Sequence, residues 1–250
     1  MTDHEPAAGP APLPLPLPTP APAPRWGIPD AALGFLGAYI LSGLTGSLWL
    51  AGVGDAERSF GLAVATLAGL WLAFVGAPVL AARRKGSGSV VRDFGFRLEK
   101  GDIPLGLAAG LVSQFVLVRL VYLPFGDRVK DLGRDNEALV DNTHGIALVV
   151  LALLLAVGAP LVEELFFRGL LLRSLQKRLS DGWAIAGSSV FFGLAHPNDL
   201  PAEGQILVMT ALAALAVVLA FLAVRTRRLG GPIVAHAVFN AVNLAVAVSN

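Results

Sequence analysis

From residue 30 to residue 248 the chain repeats one pattern, an apolar run followed by a short break of charged, Gly or Pro residues. A helix needs roughly 20 apolar residues to cross a hydrocarbon core about 30 Å thick. The runs fall near 30–53, 60–82, 104–124, 145–165, 182–196, 205–224 and 231–248, and they predict an all-α, polytopic bundle of about seven spanning helices. Hydrophobic residues make up 55% of the chain and charged residues only 15%, so the charged surface of a soluble domain is missing. The lipid bilayer is therefore the first partner. A net charge of +1 gives no reason to expect nucleic acid. With no cysteine, the chain has no disulfide, thiolate ligand or Cys nucleophile.

Residues 1–26 are rich in Pro and Ala and are expected to form a disordered tail, because Pro removes backbone donors and fixes φ. The segment lacks the basic start and continuous apolar stretch of a signal peptide. The remaining 27–250 read as one domain, with its motif-bearing core at 145–248. Basic residues cluster at 83–100 (Arg83, Arg84, Lys85, Arg92, Arg97, Lys100), at 173–178 (Arg173, Lys177, Arg178) and at 225–228 (Arg225, Arg227, Arg228). Placing all three clusters in the cytoplasm lets seven spans alternate, with the N-terminus inside and the C-terminus outside. Residues 85–103 are expected to lie on the membrane surface, and the mixed charges of 126–145 to form a solvated loop. Arg119, near the outer end of its run, is expected to snorkel to the headgroups.

Against this apolar background a few polar residues stand out. Glu163 and Glu164 are followed by Phe166, Phe167, Leu170, Leu171 and Leu172, which carry the apolar run on for two more turns and argue for burial of the pair. Ionisable groups at that depth cost several kcal/mol, of order 3 on insertion scales, unless paired or hydrated. Glu164 and Arg168 are four residues apart, on one helical face, and are expected to form a structural ion pair. Glu163 points about 100° away and has no basic partner on its own helix.

Glu163 lies 17 residues before Ser180 and His196 lies 16 after it, so a hairpin turning at Ser180–Gly182 brings carboxylate and imidazole to one level. Asp181 is the expected N-cap of the returning helix. Pro197 disfavours helix at His196, which is expected to end it, with Phe192 packing on the same face. His236 and Asn240 share one face of the last apolar run. Asn243 is expected to bond a neighbouring helix, and Ser188 and Ser189 to permit close packing. Together, Glu163, two imidazoles and an amide can activate water and stabilise an oxyanion. Glu163, His196 and His236 are equally a candidate set for a divalent metal such as Zn2+.

Three motifs in this order, Glu163-Glu164-Leu165-Phe166-Phe167-Arg168, Phe192-Gly193-Leu194-Ala195-His196 and His236-Ala237-Val238-Phe239-Asn240, resemble the CPBP family of intramembrane proteases. That family includes the type II CAAX prenyl endopeptidases and Abi-type relatives linked to bacteriocin processing and immunity. The resemblance covers roughly residues 60–248. It implies that Glu163 activates the attacking water, that His196 assists, and that His236 and Asn240 stabilise the tetrahedral oxyanion, with Glu164 and Arg168 organising the helix. The family's chemistry is written both as metalloprotease and as metal-free, glutamate-dependent hydrolysis, and the implied substrate is a membrane-associated protein or peptide, including CAAX-type lipidated ends. Two other readings use the same residues: a proton-coupled carrier, whose expected inverted repeats are not seen, and a non-catalytic scaffold or immunity-type protein.

Overall fold

Six of the seven predicted runs fold as helices of 20 to 31 residues, each long and apolar enough to cross a membrane, and the protein is an integral, multi-pass membrane protein. The computed structural model describes residues 23–53, 60–129, 132, 140, 143–197 and 200–249, together with the backbone but not the side chains at 127 and 128. The first 22 residues of the predicted tail and most of the charged loop at 130–142 lie outside the described residues. The helices are α1 (Ile28–Val53), α2 (Phe60–Lys85), the short α3 (Val90–Phe94), α4 (Asp102–Gly126), α5 (Ile146–Gln176), α6 (Asp181–Leu194), α7 (Ala202–Thr226) and α8 (Gly230–Ser249). No strand occurs among the described residues.

The seventh run, α6, is shorter, 14 residues or about 21 Å at 1.5 Å per residue, and completes a bundle of about seven helices. It ends where Pro197 requires, with Ala195 as C-cap. The N-cap of α6 is Ser180; Asp181 is the first helical residue and receives the Gln176 Nε2 hydrogen at 2.7 Å. The expected 145–165 span continues to Gln176, because the apolar side chains after Arg168 are buried in the bundle. Glu163 and Glu164 consequently sit near mid-helix, not at its end.

Without a hydrophobic drive between helices in lipid, close approach depends on small residues. A Cβ on Gly69 would lie 2.4 Å from the Leu41 carbonyl oxygen, which sets the α1–α2 spacing. One on Gly110 would lie 2.6 Å from the Ala235 carbonyl oxygen, and one on Gly193 2.4 Å from that of Met209, so α4–α8 and α6–α7 are equally tight. Ser188 and Ser189 are buried on α6, as expected of packing residues.

The three basic clusters gather at one end of the bundle. Arg25 N–H donates to Lys85 O at 2.6 Å, Lys177 Nζ donates to Pro24 O at 2.9 Å, and Arg173 Nη2 donates to Arg227 O at 3.1 Å. Trp26, placed in the tail by its sequence, is buried against Phe94 with the Lys177 ammonium 3.4 Å from its ring centre. Residues 85–103 also enter the bundle: Phe94 is fully buried, and buried Asp93 accepts the Ser87 N–H at 2.9 Å. The segment expected on the membrane surface therefore plugs the base of the helices, since its Phe and Asp both find partners there. Arg119 is exposed on α4.

Candidate active site

The polar residues converge because α5 presents Glu163 and Glu164 to opposite partners. Glu164 is 0% exposed, and its Oε1 accepts from Arg168 Nη1 at 2.8 Å and from His236 Nδ1 at 2.9 Å. The expected ion pair is present, but it also fixes an imidazole from α8, which helical spacing within α5 alone does not foretell. Arg168 reaches further, with Nη2 3.4 Å from the Ala216 carbonyl of α7 and its guanidinium 4.4 Å above the Phe192 ring.

Glu163 and His196 meet as the hairpin predicts, with Oε2 3.7 Å from His196 Nε2. The same oxygen is 3.9 Å from His236 Nε2. Neither distance is a direct hydrogen bond. The tautomers follow from the other ring nitrogens. His196 Nδ1 lies 2.7 Å from the Phe192 carbonyl oxygen, to which it donates, and His236 Nδ1 donates to Glu164. Both Nε2 atoms are thus left facing Glu163 Oε2, which is buried and has no partner among the described residues.

Beneath the trio lies a stack of aromatic rings. Phe74 stacks on Phe166 at 4.2 Å, Phe166 and Phe167 meet edge-on at 5.2 Å, and Phe192 lies 5.0 Å from Phe167 and 4.6 Å from His196. Above it a cavity of about 600 Å³ opens, lined by Glu163, His196, His236 and Asn240 together with apolar side chains such as Leu67, Val118, Leu155 and Leu212.

Asn240 is anchored by a backbone irregularity in α5. Residues Leu154–Gly158 form a π turn in which Ala159 N–H bonds Leu154 O. The next donor, at position 160, is missing because residue 160 is proline. The Leu155 carbonyl left over accepts Asn240 Nδ2 at 2.9 Å. One amide hydrogen of Asn240 is therefore structural, and the side chain also lines the cavity. Two more π turns, Ser113–Leu117 and Leu165–Leu171, carry Gln114 and Arg168.

Asn243 bonds a neighbouring helix as expected, accepting from Gln114 Nε2 at 2.8 Å, while both side chains also line the cavity. Gln114 escaped notice although its signal, an amide inside the run LVSQFVLV, is the one that revealed Asn243. Tyr39 was also missed. Its hydroxyl donates to Ala195 O at 2.5 Å, steadying the residue before His196, and nothing in the apolar context of α1 marks it.

A tetrahedral ion holding ligands at about 2.1 Å keeps them about 3.4 Å apart. The Glu163 to histidine separations of 3.7 and 3.9 Å are wider. Among the described residues no group of three or more His, Cys, Asp or Glu side chains is set to hold a metal ion.

Comparison with known proteins finds similarity over this segment. The model of the type II CAAX prenyl endopeptidase Rce1-like family matches residues 145–242. A Bacillus subtilis (strain 168) protein named "Putative membrane peptidase YdiL" is 30% identical over 138 residues, 54% of this chain and 51% of that protein. The chain thus spans about half the length of the curated relative it matches. No solved structure matches the chain. Residues 145–242, which include every motif residue from Glu163 to Asn240, are thus similar to the Rce1-like type II CAAX prenyl endopeptidases.

Proposed function

We propose that the protein is an intramembrane endopeptidase that hydrolyses a peptide bond of a membrane-associated protein or peptide. The observation that carries this reading is the unpartnered Glu163 Oε2 facing two imidazole Nε2 atoms whose Nδ1 atoms are both held. A water seated between them donates to Glu163 and His196, and its oxygen attacks the scissile carbonyl carbon as its proton passes to Glu163. The carbonyl oxygen becomes an oxyanion. The amide hydrogen of Asn240 that is not bonded to Leu155 donates to it, and the His236 ring, held by Glu164, lines the same side of the cavity. Collapse of the tetrahedral intermediate breaks the C–N bond, and the proton held by Glu163 goes to the leaving amine.

Support for a lipidated, CAAX-type end comes from the name of the matching family and from the apolar cavity walls. Gathering of the basic clusters at one end of the bundle supports a cytoplasmic N-terminus, because α1 starts there. Glu163, His196 and His236 are the residues that would hold a divalent ion, which would supply a Lewis acid, but their separations are wider than a tetrahedral ion sets and no step above needs it.

The test is cleavage of a membrane-associated reporter by the purified protein in lipid vesicles. Glu163→Gln keeps the shape of the side chain and removes the base, so cleavage should fall by about 10²–10⁴-fold. Equal cleavage by Glu163→Gln protein would refute the reading, and proton flux without cleavage would point to the carrier instead.

A further inference from the structure

A second concavity, of about 330 Å³, lies at the basic end between the last turns of α5, the first turn of α6 and the last turns of α7. Arg168 contributes to its lining, alongside Arg173, Gln176, Asp181 and Arg227. Arg168 is neutralised by Glu164. Arg173 and Arg227 have no carboxylate within 4.0 Å among the described residues, and Asp181, the one acid of the lining, is bonded to Gln176. Arg97 pairs with exposed Glu99 at 3.6 Å, outside the pocket lining. The pocket therefore offers two guanidiniums against one carboxylate.

The Arg173 guanidinium and the Arg227 backbone are each held in place. Arg173 Nη2 donates to Arg227 O, and a Cβ on Gly95 would come within 2.7 Å of it, so the group is pressed against backbone. Arg227 has φ 56° and ψ 23°, the one non-glycine positive φ among the described residues. Side chains other than Asn or Asp are disfavoured there, so this left-handed C-cap of α7 carries an arginine where Gly or Asn is the easier choice. The apolar spans of α5 and α7 end at Gln176 and Thr226, which puts the pocket where hydrocarbon gives way to headgroups. Trp183 on α6 and Phe221 on α7 are 73% and 57% exposed, as aromatic residues facing that layer are.

We propose that this pocket binds a phospholipid headgroup, its phosphate held by Arg173 and Arg227 and its hydroxyl or ammonium donors turned toward Asp181. Phosphatidylglycerol and phosphatidylethanolamine meet both requirements. Phosphatidylcholine has the phosphate without the donors, and inorganic phosphate has no acyl chains to reach the bilayer. The lipid would rest against the same Arg168 that holds Glu164, yet it touches none of the groups assigned to the chemistry.

Native mass spectrometry of the full chain, released from nanodiscs of defined composition, tests the site without reference to proteolysis. Wild type should retain phosphatidylglycerol about tenfold better than phosphatidylcholine. Arg227→Asn, which suits the left-handed backbone and removes the guanidinium, should lose that preference, and Arg227→Lys should keep part of it. Should Arg227→Asn protein fail to assemble, Arg173→Lys serves in its place, since loss of bidentate geometry should weaken retention while charge is kept. Equal retention of the two lipids, an unchanged preference in these variants, or displacement by millimolar inorganic phosphate would each overturn the proposal.

Discussion

His236 on α8 donates its Nδ1 hydrogen to Glu164 on α5 across 2.9 Å, although 72 residues separate them. Because Arg168 bonds the same carboxylate oxygen at 2.8 Å, a fully buried ion pair and the orientation of an imidazole rest on one atom. The structural and chemical parts of the site are joined at Glu164.

Glu164→Leu should therefore leave Arg168 as an uncompensated charge at 1% exposure, at a cost of about 3–5 kcal/mol. The double variant Glu164→Leu with Arg168→Met removes both charges, and replacement of a buried pair by apolar residues is commonly neutral or stabilising. Thermal melting in nanodiscs should show a large loss for the single variant and recovery for the double one. Cleavage should not recover, since His236 still lacks its acceptor. Recovery of both would mean that Glu164 serves stability alone.

His196 carries a different expectation, because its ring touches the site without stabilising the core. His196→Ala removes the second acceptor for the attacking water and leaves Glu163 in place. Cleavage should fall by about 10²-fold or more with the melting temperature little changed. A variant that melts much lower would instead assign His196 to packing on Phe192, whose ring lies 4.6 Å away.

The sequence made the hairpin legible because its distances are local. Counting residues on either side of Ser180 was enough to place Glu163 beside His196, and Pro197 was enough to end α6. Reading His236 into the same site required a long-range contact, and a polar residue in a membrane helix announces that it has a partner without saying which. The Glu164 link to His236 was illegible for that reason. The short α6 is legible as an apolar run but not by its length, because an apolar run reports burial, and burial in protein and burial in lipid look alike in composition. Trp26 shows the reverse: a Pro-rich context hid a residue that packs under Phe94.

Metal dependence can be settled by chelation. With the Glu163 to histidine distances at 3.7 and 3.9 Å and the reaction written on side chains alone, prolonged treatment with a strong chelator should leave cleavage within about twofold. Elemental analysis should then find well under one ion per chain. Loss of cleavage that Zn2+ restores would move Glu163, His196 and His236 from a water site to a ligand set.

The bond between Asn240 and Leu155 makes a prediction about proline. Leu155 O depends on Asn240 because residue 160 has no N–H, so Asn240→Leu should orphan a buried carbonyl at a cost of about 1–3 kcal/mol. Pro160→Ala returns an N–H near that carbonyl. In the Pro160→Ala background, the same Asn240→Leu change should cost distinctly less, and a double-mutant cycle on melting temperatures measures the difference. Cleavage should respond otherwise: Asn240→Leu removes a donor to the oxyanion in either background and should lower kcat by about 10²–10³-fold in both. If the two readouts rise and fall together, the amide acts only through the backbone. If stability is rescued and kcat is not, one hydrogen of Asn240 holds α5 while the other serves the reaction.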